Sequence, residues 1–539
     1  MSSKLTLKNS IDTEFSIEHT DGKSAKTIKG TDIVVAVDTI NDFPTVASNG
    51  DVVIVRDSNR GGTFVYDSTQ SAVNNGGTIF DGWVRQYSGA VNVKWFGAKG
   101  DGVTDDTVSL TNVFNYCIAA TYTIYMPSGN YIVTGISLTP KIVGNTPIRI
   151  VGDAGIYVGN NFTTMITNIS TTGTDCISFN GTSSNEFTRI EIENIRFKGN
   201  AQSGHGLYVI YGGELNCVNS SFDHHGKHGV YYKDSWVPRF TKCDFRYNGQ
   251  SSALKDYHGL YLEGSALVGV NGSSLIDCTT EMNYGDGIKI VASASGQDSN
   301  IGTIINYNST SNYGAGLRLK GISASIIGGF SEFNGGGGIV SGVSGTTSDM
   351  YGIEISGMLF DCYDRDNLNG GVPVKAIELN RVRGCSISGL FIRNAVETIP
   401  ISLSSDCLDI SINMPSSCSV YNCTKFIIFG TKEIAYSMRP IKIGYSGTTY
   451  STAQTDTFDL LGAFSPKIYN IQNNSTATNI LAYQFNRSGT GLFGIRNSGG
   501  ICSSSTSVAT TLGTVSGKMP VYGMDGVFIG WLPLYATIT

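Results

Sequence analysis

Charge is scarce in this 539-residue chain: Asp, Glu, Lys and Arg make up 15% of it, the formal net charge is −6, and the basic residues form no cluster. That excludes the electrostatic footprint by which proteins grip nucleic acid or an anionic membrane surface, so no nucleic-acid partner is expected. Long apolar runs are lacking too. No stretch approaches the roughly 18 residues of a spanning helix, and the opening MSSKLTLKNS has no apolar signal core. Neither membrane insertion nor Sec export is expected, and the chain should fold in a cytoplasm. The eleven cysteines run from Cys117 to Cys502 with no CxxC pair, which argues against a disulfide framework and a zinc site and for buried thiols. Histidine is rare, at six residues, yet five fall between His205 and His258, including Asp223-His224-His225. Repeat position accounts for three of them and carboxylates at ligand spacing are not evident, so no metal or other cofactor is expected.

What the chain has in quantity is glycine, at 67 residues, with 27 Tyr and 24 Phe against only 12 Pro, a turn-rich and strand-dominated profile. A repeat organises it. His205-Gly-Leu-Tyr, His228-Gly-Val-Tyr, His258-Gly-Leu-Tyr, Asp286-Gly-Ile-Lys, Ala315-Gly-Leu-Arg and Gly337-Gly-Ile-Val each open a short alternating strand, the glycines in second position 23, 30, 28, 29 and 22 positions apart. Each unit continues into a second strand that ends at Asn248, Asn283, Asn312 or Asn334. Short strands, glycine turns and no room for crossover helices predict coils stacked about 4.8 Å apart in a parallel β-helix. The four asparagines would then form a corner ladder, with Cys243 and Cys278 as inward fillers.

Residues Val91 to Ala120 are suited to covering the open end of such a solenoid, which would otherwise template aggregation. Here Trp95-Phe-Gly-Ala-Lys-Gly-Asp101-Gly-Val-Thr-Asp105-Asp106-Thr107 leads into an amphipathic helix from Val108, and Tyr125-Met-Pro-Ser-Gly-Asn-Tyr131-Ile-Val comes next as a first coil. Asp101, Asp105 and Asp106 are read as turn and capping residues. This string resembles the start of the pectate-lyase-like β-helix as it occurs in bacteriophage tailspikes and capsular polysaccharide depolymerases. The upstream GGTFVYDSTQSAVNNGGTIFDGWVRQYSG and the closing KMPVYGMDGVFIGWLPLYATIT resemble the small leading domain and last hairpin of such spikes. The resemblance implies an all-β, right-handed parallel β-helix in a homotrimer on the virion, acting on a bacterial surface polysaccharide. Residues 1–90 would attach to the phage tail or baseplate, 91–430 would form the β-helix, and 431–539 a C-terminal β-domain for capping and trimerisation.

Alternation places candidate chemistry on the outside. Leu207, Val230, Leu260, Ile288 and Leu317 should point in, leaving Tyr208, Tyr231, Tyr261, Lys289 and Arg318 as an outward column, flanked by His205, His228, His258 and Asp286. The tyrosines, His228, His258 and the two cations are candidate sugar contacts; a ladder that only stabilises the sheet, or one buried between trimer subunits, is the competing reading. Two residues before the corner asparagines stand Arg246, Glu281, Thr310 and Glu332, with Asp223 one coil earlier. If Phe245 points in, Asp244 and Arg246 point out. Strand spacings separate Asp244 from Glu281 by about 8 Å and Glu281 from Glu332 by about 10 Å. Inverting glycosidases hold their two carboxyls about 6.5–9.5 Å apart. The expectation is therefore Glu281 as general acid, Asp244 or Glu332 as base, and Arg246 as a substrate contact. β-Elimination at a uronate and a purely adhesive role are the alternatives.

Overall fold

The computed structural model describes residues 34–429 apart from 143–145, 154–162, 252–255, 265–269, 292–298, 342–349, 369, 371, 395–399, 405–406, 414–419 and 422–426. Beyond them it describes the strands Leu481–Arg487, Thr490–Arg496, Ile501–Cys502, Val515–Tyr522 and Phe528–Tyr535. The chain divides into two compact units, residues 1–460 and 461–539.

In the first unit, five short strands, Val35–Val37, Val52–Val55, Gly62–Tyr66, Trp83–Arg85 and Ile79–Phe80, form one sheet in that order. Their inward residues, Val53, Val55, Phe64, Phe80 and Trp83, make a small separate core. Buried Arg85 joins this sheet to Trp95 at the start of the next segment. Its guanidinium lies between the Phe64 and Trp95 rings, 4.5 and 4.6 Å from their centroids, and donates to the carbonyls of Arg60, Gly61 and Gly77. Burial, then the nearby Arg60 charge, lowers its pKa to about 10.

From Val91 onward the chain winds in coils whose strands pair in parallel with the coils before and after. One sheet runs from Ile136–Leu138 through Leu207–Ile210, Val230–Lys233, Leu260–Glu263 and Ile288–Val291 to Ile427–Phe429. Two further lines of strands are joined at their edges, represented in one coil by Pro238–Thr241 and Asp244–Arg246. We call these the first, second and third sheets. This is the arrangement of a right-handed parallel β-helix.

The stretch expected as one second strand is therefore two, bent at a single residue in left-handed backbone: Lys242 (φ 53°), Asp277 (53°) or Asn306 (51°). Because the bend takes one residue, the sequence reads as continuous, and in Ser299–Thr310 and Ile322–Glu332 the strand does run through it.

The glycine-led units have a steric cause. A Cβ on Gly229 would lie 2.6 Å from the Gly259 carbonyl oxygen and 2.7 Å from Asn248 Nδ2. The asparagine ladder lies beside them and is buried. Asn248 Nδ2 donates to Asn283 Oδ1 (3.0 Å), Asn283 to Asn312 (2.8 Å) and Asn312 to Asn334 (2.8 Å), while each Oδ1 also takes the backbone amide of the asparagine before it. Inside, Phe197, Phe222 and Phe245 stack at 4.9 and 5.6 Å, so Phe245 does point in. Eight cysteines are buried and form no disulfide among the described residues, Cys243 and Cys278 among them.

Helix α1, Thr107–Ala120, packs Leu110, Val113, Phe114, Cys117 and Ile118 onto the first coil. Asp106 caps differently from expectation. It is buried, and its carboxylate takes the Lys99 and Gly100 amides rather than an amide of the helix. In the second unit, Val515–Tyr522 and Phe528–Tyr535 pair antiparallel, the hairpin expected at the end of the chain.

Candidate functional site

Two outward columns emerge from the strand register, on different sheets. On the first sheet, Tyr208, Tyr231, Tyr261, Lys289 and Arg318 are direct partners in consecutive coils. The tyrosines are half-buried. Tyr231 and Tyr261 stack at 5.1 Å and 3°, Tyr231 OH donates to Glu263, and Lys289 Nζ lies 5.0 Å over the Tyr261 ring. Burial, then Glu263, raises the Tyr231 and Tyr261 hydroxyl pKa values, and burial lowers that of Lys289. Arg318 is bound to Asp286 through Nε (2.8 Å) and Nη2 (3.0 Å).

The histidines beside them require a correction. His205, His228 and His258 are not a surface column: they are 8%, 4% and 3% exposed, their rings stacked at 5.0 and 5.1 Å. The backbone amides of His228, His258 and Asp286 donate to Nδ1 of His205, His228 and His258, at 3.1, 2.7 and 2.9 Å. Asp286 Oδ1 then takes the Ala315 amide at 2.7 Å. Tyr257 packs edge-on against His228. Each imidazole thus satisfies the turn of the next coil, which withdraws His228 and His258 from a sugar-contacting surface. Burial, reinforced by neighbouring cations and imidazoles, holds all three well below the usual histidine pKa.

On the third sheet, Asp223, Arg246, Glu281, Thr310, Glu332, Asp361 and Arg393 are successive partners, one per coil, in unbroken register. The register shifts at Ser273/Ser274 and Asn300/Thr303 fall on the second sheet and leave this column intact. Arg246 stands 3.4 Å from Asp244 and 3.5 Å from Glu281. Asp244 faces away from the core as expected but is only 5% exposed, so it is a buried ion-pair partner of Arg246 and not an open base. The Glu281 and Glu332 side chains keep 34% and 23% of their surface. Glu332 is held above the ordinary carboxyl pKa, by burial first and by the Asp361 charge second. Asp361, itself buried, takes bonds from Arg393 Nε (2.8 Å), Asn394 Nδ2 (2.9 Å) and the Tyr363 amide (3.1 Å).

A loop after the strand Leu359–Asp361 folds back over the column. Arg365 sits 4.1 Å above the Phe333 ring and reaches Ser311 Oγ at 3.1 Å, while Asp366 also bonds Ser311. The Arg365 charge falls on both Glu281 and Glu332. A strip of carboxylates with an arginine laid across it can protonate a leaving oxygen, activate a water and order a polar chain along the sheet.

With this geometry in view, residues 90–158 match the family described as "Rhamnogalacturonase A/epimerase, pectate lyase-like". That span contains the WFGAKGDGVTDDT string and α1, so the pectate-lyase-like resemblance read there holds. No curated protein matches. Among solved structures, the Acinetobacter phage vB_ApiP_P1 tailspike aligns at 15% identity over 83% of this chain and 76% of its own, TM-score 0.45. The tailspike gp42 of Acinetobacter phage vb_AbaP_AS12 aligns at 13% over 94% of each chain, TM-score 0.43. The A-module of the Azotobacter vinelandii mannuronan C-5 epimerase AlgE4 aligns at 13% over 68% of this chain and 99% of its own, TM-score 0.35.

The sequence candidates thus divide. Asp244, Arg246, Glu281 and Glu332 come together on the third sheet; Tyr208, Tyr231, Tyr261, Lys289 and Arg318 gather on the first, beyond the asparagine corner. Asp361, Arg365 and Arg393 lie outside the residues that the corner asparagines single out, and Tyr363 stands at that corner in the coil of Asp361. Carrying the column one further step by strand alternation would have found it.

Proposed function

We propose that this chain is a phage tailspike that binds and depolymerises a bacterial surface polysaccharide, capsular or O-antigen, by endo-glycosidic hydrolysis on the third sheet. The observation that carries the reading is the in-register strip from Glu281 to Asp361, in which burial and a like charge raise the pKa of one carboxyl, Glu332. A carboxyl so tuned is a proton donor to a glycosidic oxygen, while ion-paired Glu281, two coils and about 10 Å away, marginal to the roughly 6.5–9.5 Å of inverting enzymes, activates the water. Spacing alone assigned the acid's role to Glu281; the surroundings of Glu332 favour the reverse. Arg246 and Arg365 contact the sugar chain. The first-sheet tyrosines with Lys289 and Arg318 form a second surface around the corner.

Assembly as a homotrimer, attachment to the phage tail through residues 1–90, and capping and trimerisation by residues 431–539 go with this reading. They rest on the resemblance at both ends of the chain. The site acts at the bacterial surface while carried on the virion.

Incubation of the protein with purified capsule or O-antigen tests the proposal. Polymer length should fall with new reducing ends and no rise in the short-wavelength ultraviolet absorbance of an unsaturated uronate, and Glu281→Gln should abolish this while polymer still binds. An absorbance rise would mean elimination, and unchanged polymer length at high protein concentration would mean an adhesin.

A further inference from the structure

Beside the charged strip runs a second column. In five consecutive coils the residue after the strip lies in left-handed backbone: His224 (φ 61°), Tyr247 (54°), Met282 (51°), Ser311 (54°) and Phe333 (56°). Such backbone is unusual for residues with a side chain. Here it recurs in register, and the amides of His224, Tyr247, Met282 and Ser311 donate to the carbonyls of Arg246, Glu281, Thr310 and Glu332 in the following coil, at 2.9 to 3.1 Å. The corner is therefore a ledge built by the repeat.

At one end of that ledge the His224 and Tyr247 rings stack at 4.8 Å and 21°. His224 is fixed in place. Its Nδ1 lies 2.8 Å from Asp223 Oδ2, and Arg196 grips the same buried carboxylate at 2.8 and 2.7 Å. Burial pushes the Asp223 carboxyl up, but the bonds from Arg196 and His224 prevail and bring it to about 2. Yet the His224 side chain keeps 40% of its surface, and Tyr247 is half-buried. The same coils already stack Phe222 on Phe245 inside, so the outer pair is not needed to fill the core. Phe333, four coils and about 19 Å along the ledge, lies under Arg365 beside Glu332.

We propose that His224 and Tyr247 form a carbohydrate-stacking subsite, holding the polysaccharide against the third sheet on the Glu281 side of the cut, Tyr247 one coil from Glu281 and three from Glu332. Only the distance to the cut rests on the hydrolytic reading above. Rings locked before binding lose little freedom when the apolar face of a pyranose packs on them, and Nε2, directed away from Asp223, is left to bond a hydroxyl. Arg196 and Asp223 offset each other's charge, so the ledge selects sugar faces and not a charged group.

Kinetics of full-length Tyr247→Ala, Tyr247→Phe and His224→Asn on long polymer and on its shortest cleavable fragments test this, with thermal unfolding as a check on folding. Both ring-deleting variants should raise KM for long polymer roughly tenfold, leave kcat and the shortest fragments unaffected, and shift product lengths, while Tyr247→Phe stays near the parent. An unchanged KM for polymer, an equal rise for the shortest fragments, or a Phe variant as impaired as Ala would overturn the subsite. If the parent protein cuts nothing, the hydrolytic reading fails alone. Polymer affinity by calorimetry then decides the subsite: roughly tenfold weaker binding by both ring-deleting variants supports it, and equal binding overturns it.

Discussion

On the first sheet, His205, His228 and His258 stack beneath the surface, each taking the amide of the next coil; on the third sheet, Arg246, Glu281 and Glu332 line up in register with part of their surface still open. One repeat produced both. The difference lies in what neighbours supply. The first-sheet polar groups meet backbone partners in register and become neutral structural groups. On the third sheet Glu332 and Asp361 stand as like charges in adjacent coils, and Glu332 is left with a raised pKa.

The sharpest way to break that contrast is to remove a member of the histidine stack. His228→Ala leaves the buried His258 amide without its acceptor and opens a cavity, so stability should fall by about 3 kcal/mol while cleavage per folded molecule persists. Reversible denaturation with an activity assay on the folded fraction checks both halves; lost activity at unchanged stability would return His228 to the sugar surface.

Acid should find the same stack. Unfolded histidines take protons near their ordinary pKa of about 6.5, whereas the buried ones resist, so their contribution is whole above that pH and declines as pH falls below it. Three such groups give a slope of up to roughly 4 kcal/mol per pH unit. Thermal midpoints through this window should drop steeply in the parent and less in His258→Gln, and parallel curves would contradict the assignment.

On the third sheet, Asp361→Asn removes the like charge that helps raise the Glu332 pKa. The alkaline limb of the pH–rate profile should move to lower pH, and a limb that stays in place would detach Asp361 from the acid. The smallest effect belongs to the second sheet, where Arg149 pairs with Glu191 and Glu193 in the open. Arg149→Ala should change stability by less than about 1 kcal/mol and activity not at all, as two-state unfolding and the cleavage assay can show.

Much of this is legible in the sequence. The glycines, the asparagine corner and the order Asp223, Arg246, Glu281, Thr310, Glu332 come from a spacing that glycine sterics and strand alternation impose on the chain. What stayed hidden depended on contacts that spacing does not encode. Lys242 bends one strand into two with a single residue, and Tyr257 covers histidines that alternation alone leaves outside. The Arg365 loop is laid over Phe333 by a tertiary bond to Ser311, in a coil well before its own.

The central claim, that the third-sheet strip cuts the glycan, is tested most directly by Glu332→Gln, a change that keeps shape and removes the proton. Reducing-end release from purified surface polysaccharide should fall by roughly 10²- to 10⁴-fold with the thermal midpoint and polymer binding preserved. Release within a fewfold of the parent protein would contradict the account.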